Sequence, residues 1–165
     1  TLSSSSAASD VYKRQPLSSR TPWSEDRTIA AKDSMPQVIG QVSVAVRDYD
    51  EALRFYVGAL GFVLIEDTAL SEGKRWVTVA PGGGGVRLLL ARATNEEQAA
   101  RVGNQTGGRV FLFLQTDDCL RDFEAYRSRG VRFVQDPQRK PHGTVAVFED
   151  LYGNLWDLIE PHPAR

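Results

Sequence analysis

The chain has 165 residues, of which 41% are hydrophobic and 25% charged, with a formal net charge of −1. This composition fits one globular domain of ordinary size and supplies no basic field for nucleic acid. The single cysteine, Cys119, excludes an internal disulfide framework and fits a reducing, cytoplasmic setting, and no apolar run approaches the roughly 20 residues of a membrane span.

Residues 1–35 form an N-terminal extension unlike the rest. They are rich in Ser and other polar residues and show no sustained hydrophobic period. A secretory h-region is missing. Met35 is the only methionine and stands just before the first strand-like run. We expect the natural start at Met35 and disorder in the arm before it. The domain proper is expected over 36–165.

From Gln37 the pattern becomes regular. "QVIGQVSVAV" alternates and puts Val42, Val44 and Val46 on one face of a strand. "DYDEALRFYVGALG" changes period, with Leu53, Tyr56, Val57 and Leu60 forming the stripe of an amphipathic helix. Asp48 is its expected cap, Glu51 follows at the capping-box position, and Gly61 supplies the left-handed end. Three strands are predicted next: "FVLIEDTAL", "KRWVTVA" and "VRLLLA". "PGGGG" forms the turn between the last two. It opens no helix and lacks the Lys-Ser/Thr of a phosphate loop.

Residues 93–107 form a linker with a short exposed helix, from which Asn104, Gln105 and Thr106 can reach a neighbouring surface. The order then repeats. "GRVFLFLQT" is a strand and "DDCLRDFEAYRSRG" a helix ending at Gly130. "VRFVQD", "GTVAVFE" and "NLWDLIE" are three more strands. The copies align at a constant offset of 69 residues, matching Asp48 to Asp117, Gly61 to Gly130 and Asp67 to Asp136. The pattern therefore reads as α+β: two tandem βαβββ modules, 37–92 and 108–161, each a curved sheet with a helix on its outer face.

One strand carries an oddity. In "NLWDLIE", Asp157 shares a face with Leu155 and Ile159, and burying an unpaired carboxylate costs several kcal/mol. Either a structural Arg or Lys holds it, or it faces a wet pocket and bonds to Gln41, Ser43, water or a ligand.

The strings "VRDYDEALRFYVGALGF" and "FEDLYGNLWDLIE" resemble the two recurrent signatures of the vicinal oxygen chelate superfamily. That superfamily contains glyoxalase I, extradiol dioxygenases and bleomycin- or fosfomycin-resistance proteins. The resemblance covers about 37–161 and implies that the two modules form a curved, barrel-like mixed sheet around one cleft, in a homodimer with modules paired within or between chains. It also implies a divalent metal (Zn, Ni, Mn or Fe) held by the first and last strand of each module. Carried onto this chain, those positions are Gln41, Leu88, Phe111 (or Val110 if the register slips) and Asp157. Leucine and phenylalanine have no donor atom. A metal here would have only Gln41, Gln115 and Asp157, so the reading without a metal is preferred.

The same alternation predicts a cleft lined by Ser43, Ala45, Leu88, Leu90, Phe111, Phe113, Gln115 and Ile159, with His142 at its rim beside Arg139 and Lys140. Mostly apolar walls with a few polar groups suit a small, partly apolar ligand. Three functions follow from the resemblance. One is a metal-dependent lyase, isomerase or dioxygenase. Another is a resistance-type protein that sequesters a small molecule without a metal. The third is a metal-free enzyme with Asp157 as base and Gln41 and Gln115 as orienting donors. Cys119 is expected to pack as a small apolar residue and His162 to lie in a frayed tail. Trp156 is placed in the core under its module's helix.

Overall fold

The structure, a computed structural model, describes residues 37–162, so the expected extension and Met35 lie outside the described residues. Module one runs β1 (Gln41–Val46), α1 (Tyr49–Leu53), β2 (Val63–Ser71), β3 (Lys74–Ala80) and β4 (Arg87–Arg92). A short α2 (Glu96–Ala99) lies in the linker. Module two runs β5 (Val110–Gln115), α3 (Cys119–Ser128), β6 (Arg132–Lys140), β7 (Gly143–Glu149) and β8 (Leu155–Pro161). The sheets have orders β1-β4-β3-β2 and β5-β8-β7-β6. In each, the first and last strands run parallel and the rest form an antiparallel meander. The predicted pair of βαβββ modules is present as two separate four-stranded sheets, which do not close into a barrel.

The helices explain which sheet face is covered. Val44 and Val46 of β1 are buried under module one's helix. Asp48 caps that helix by accepting from the backbone N–H of Asp50 and Glu51. The α-helix then widens into a π-helical segment, Arg54–Ala59. The wider turn changes the buried stripe to Tyr49, Ala52, Tyr56 and Leu60, while Leu53 and Val57 are only partly buried. Gly61 ends it at φ 71°, a conformation that costs glycine little.

In α3 the cap is Asp118, whose carboxylate accepts from the N–H of Arg121, so Asp48 corresponds to Asp118 rather than Asp117. Module one carries one residue more between cap and closing glycine, which the π-helical turn absorbs. It also carries one more in the β3–β4 turn, because Thr78 faces Leu89 whereas Val147 faces Asp157. The offset between modules therefore drifts from 70 at the caps to 69 at the glycines and 68 at β4 and β8.

The modules join through their helix-bearing sides. Trp156, buried as expected, stacks on Phe148 with ring centroids 5.7 Å apart. It also meets Tyr56 and Phe62 of the other module at 6.1 and 6.3 Å. Tyr56 extends the contact by donating its hydroxyl to Asp150. One hydrophobic cluster thus runs through both modules.

Candidate functional site

Residues paired in register lie side by side on one face of a sheet. In module one, Gln41, Ser43 and Ala45 pair with Arg87, Leu89 and Ala91 and occupy the face away from the helix. In module two the corresponding face carries Phe113 beside Asp157 and Gln115 beside Ile159. Gln41 and Ser43 are exposed, and Phe113 is 64% exposed, so neither open face covers the other.

Two expected wall residues belong to the helix-bearing face and reach the cavities only from that side. Leu88 and Leu90 pair with Val42 and Val44 on the helix-bearing face and are 3% and 1% exposed. The longer glycine turn shifts β4 by one residue, and a shift of one flips every side chain to the other face. Leu89 is the residue that corresponds to Asp157. Phe111 also turns away. It occupies a bulge between Val110 and Leu112 and packs edge-on to Trp156, with centroids 6.2 Å apart.

Asp157 is half-buried. Among the described residues no ion pair or hydrogen bond engages its carboxylate, so no structural Arg or Lys holds it. Burial pushes its carboxyl above the ordinary aspartate range, and the nearby His142, in the β6–β7 turn, pulls the other way. Cys119 is buried, its thiol directed at the Leu158 carbonyl at 3.7 Å. Burial pushes this thiol upward, which disfavours the thiolate a nucleophile needs. His162 lies with Nε2 3.1 Å from the Lys140 carbonyl.

The donor set does not fit a resident divalent cation. The register puts Leu89, not Leu88, opposite Ser43, and neither leucine has a donor. Gln41 and Asp157 lie on different sheets, and no cluster of three His, Cys, Asp or Glu exists among the described residues. Two neutral amide oxygens and one carboxylate hold such an ion weakly even when gathered.

The concave surface with the richest chemistry wraps around one end of module one's sheet, from the open face to the helix-bearing side. It is a cavity of about 780 Å³, walled by Ala45, Leu70, Trp76, Leu89 and Ala91, and bordered from the helix-bearing side by Tyr49, Leu90 and Arg92. The linker roofs one side. Gln105 accepts from the Ala45 N–H at 2.8 Å and donates weakly toward the Ser43 carbonyl at 3.4 Å, covering the free edge of β1. Gln98 and Arg101 border it from α2 and the turn after it. Of the residues that line it the sequence pointed to Ala45, Leu90 and Gln105. Trp76, Leu89 and Arg101 were missed. For Leu89 the missed signal was the extra glycine in the β3–β4 turn. A second groove of about 510 Å³ lies at the seam between modules. Leu88, Phe113 and Gln115 border it, and Gln115 is its only polar side chain.

A family model described as the Glyoxalase/Bleomycin resistance protein/Dioxygenase superfamily matches residues 38–158. An uncharacterized protein from Shewanella frigidimarina (strain NCIMB 400) is 58% identical over 128 residues, covering 76% of this chain and 95% of its own. The crystal structure of UcmS2 is similar at 32% identity and a TM-score of 0.67, covering 76% of this chain and 99% of that one. The crystal structure of TnmS3, an antibiotic binding protein from Streptomyces sp. CB03234, is similar at 31% identity and a TM-score of 0.64, covering 78% and 99%.

Proposed function

Since the chain belongs to the Glyoxalase/Bleomycin resistance protein/Dioxygenase superfamily, we propose that it binds a small, partly aromatic molecule on its open sheet faces without a resident metal. The observation that carries this reading is the cavity beside Trp76. Its volume of about 780 Å³ falls in the range of small-molecule sites, and its apolar walls carry a few polar groups at the rim. The likeness to TnmS3, an antibiotic binding protein, supports the same direction.

In this reading the working unit is a cytoplasmic homodimer whose second copy covers the faces left open here. The exposed Phe113 beside the unpartnered Asp157 supports that arrangement. Calorimetric titration with a panel of planar aromatics and aromatic antibiotics tests the binding. We expect micromolar affinity for some members, lost in Trp76→Ala with the fold intact by circular dichroism. A stoichiometric divalent metal, lost in Asp157→Ala, would overturn the metal-free reading. Sedimentation tests the dimer.

A second reading is favoured by Asp157 alone. A half-buried carboxylate with no partner is suited to accept a proton from a bound carbon acid, the step of a metal-free lyase or isomerase. Turnover abolished by Asp157→Asn, with ligand affinity retained, identifies this case.

A further inference from the structure

We infer that the cavity at the end of module one's sheet selects anionic, flat aromatic molecules over neutral or cationic ones. This rests on the proposal that the cavity is a ligand site. The inference comes from the charges around it. Five charged side chains border the cavity: Glu72, Lys74, Arg75, Arg92 and Arg101.

Arg75 is matched. Its guanidinium bonds to Asp67 and to Asp50, so its charge is answered within the protein. Lys74, Arg92 and Arg101 have no carboxylate partner among the described residues. Three unanswered cations therefore border the cavity against one carboxylate, Glu72.

Arg92 is also held in place. Its guanidinium lies over the Tyr49 ring at 5.6 Å, opposite in role to Arg75, which lies 5.2 Å from the same ring with its carboxylates in hand. The β2–β3 turn also approaches the Arg92 guanidinium. A Cβ on Gly73, at φ 68°, would meet its Nη2 at 3.1 Å. A guanidinium fixed by an aromatic ring and a glycine turn loses little freedom when it binds a carboxylate.

The neutral rim has the same bias. Gln98 uses its amide oxygen on the N–H and hydroxyl of Thr94, leaving its NH2 group to offer. Gln105 is engaged at both ends, its oxygen on the Ala45 N–H and its NH2 toward the Ser43 carbonyl, and so offers no free acceptor. The free groups of the rim are thus donors, the Gln98 NH2 and the unanswered cations, and a ligand that accepts hydrogen bonds through a negative group complements them. Trp76 supplies the flat apolar surface for the rest of such a molecule.

The test compares three probes of one shape: 2-naphthoate, 2-naphthamide and 2-naphthylmethylammonium, titrated calorimetrically into the full chain. We expect naphthoate to bind at least 10-fold tighter than the amide, a contrast within reach of charge-assisted hydrogen bonds. The ammonium should bind weakest. The preference for naphthoate should fall at least fivefold in Arg92→Gln and in Arg101→Gln, with amide binding unchanged. Gly73→Ala, which leaves every charge in place but crowds Arg92, should reduce it in the same direction. If the amide or ammonium binds as tightly as naphthoate, the charge inference fails and the ligand site stands. If an anion preference survives both arginine substitutions, the assignment to these residues fails. If no probe binds, the ligand-site reading fails with it.

Discussion

Tyr56 donates its hydroxyl to Asp150 at 3.0 Å, joining the π-helical segment of one module to the β7–β8 turn of the other. Asp150 is buried and also accepts from the backbone N–H groups of Tyr152 and Asn154 and from the Asn154 side chain. The carboxylate thus organises its own turn and anchors the neighbouring module. Burial, and Asp150 beside it, push the Tyr56 phenol well above the ordinary tyrosine range, so it stays a donor at any working pH. Tyr56→Phe should cost about 1–2 kcal/mol, the loss of one buried bond to a charged acceptor. Asp150→Ala should cost about 3 kcal/mol, because it strands several donors at once. Urea denaturation of the two variants checks the order.

Leu88 and Leu89 are adjacent but belong to different surfaces, and substitution should separate them. Leu88→Ala opens a hole in the helix-bearing core and should cost about 2–4 kcal/mol. Leu89 borders the cavity and is only partly buried, so Leu89→Ala should cost about 1 kcal/mol or less while weakening ligand binding severalfold. Thermal melts and a titration on both variants distinguish the roles. Equal losses of stability would mean the β4 register is wrong.

This pair also shows where the sequence was legible. Strand and helix periods, the Asp48 cap and the paired glycines Gly61 and Gly130 located both modules, because each signal is local and backed by simple stereochemistry. The fine alignment was not local. It depended on one extra residue in the π-helical turn and one in the glycine turn, and neither alters the hydrophobic period enough to show. Each slip of one residue exchanges the faces of a strand, which is how Leu88 displaced Leu89 as a wall residue. Phe111 was misplaced by a bulge, which alternation alone does not reveal. Asp157 was legible because a carboxylate between Leu155 and Ile159 breaks the pattern of its face. Arg92 and Arg101 were not, because their place at one cavity depends on the linker folding back over β1.

Added Zn²⁺, Ni²⁺, Mn²⁺ or Fe²⁺ should leave the melting temperature within about 1 °C of the metal-free value. A site with ions at 100 times its dissociation constant would add about 2.7 kcal/mol, a rise of roughly 5–10 °C for a domain of this size. Differential scanning fluorimetry with and without chelator reads this difference directly. A rise of several degrees that disappears in Asp157→Ala would show that the carboxylate recruits donors not gathered in this conformation.

Asp157 gives a pH-dependent prediction with a definite sign. Burial raises its carboxyl above the aspartate value of about 3.9 expected of the unfolded chain. Between those two values the folded state holds the proton more tightly than the unfolded state. The group's contribution is therefore most favourable below the unfolded value and is lost as pH rises through the folded one. At neutral pH the protein carries an ionised, half-buried carboxylate that folding disfavours. Asp157→Asn removes that charge with little change of shape and should raise the melting temperature at pH 7 by about 1–3 °C, a modest gain because the site is partly solvated. The gain should shrink steadily toward pH 4 and vanish below it. The exposed Asp48 and Asp67 act in the opposite sense. A backbone bond from Glu51 and the side-chain bond from Arg75, respectively, hold their carboxyls below the usual range, so their contribution is lost on acidification. Because both remain in wild type and variant, their effect cancels in the difference. Melting curves of the two proteins from pH 4 to 8 therefore isolate Asp157. A variant less stable than wild type at pH 7 would mean that the carboxylate has a favourable partner and is not held unpaired for a ligand.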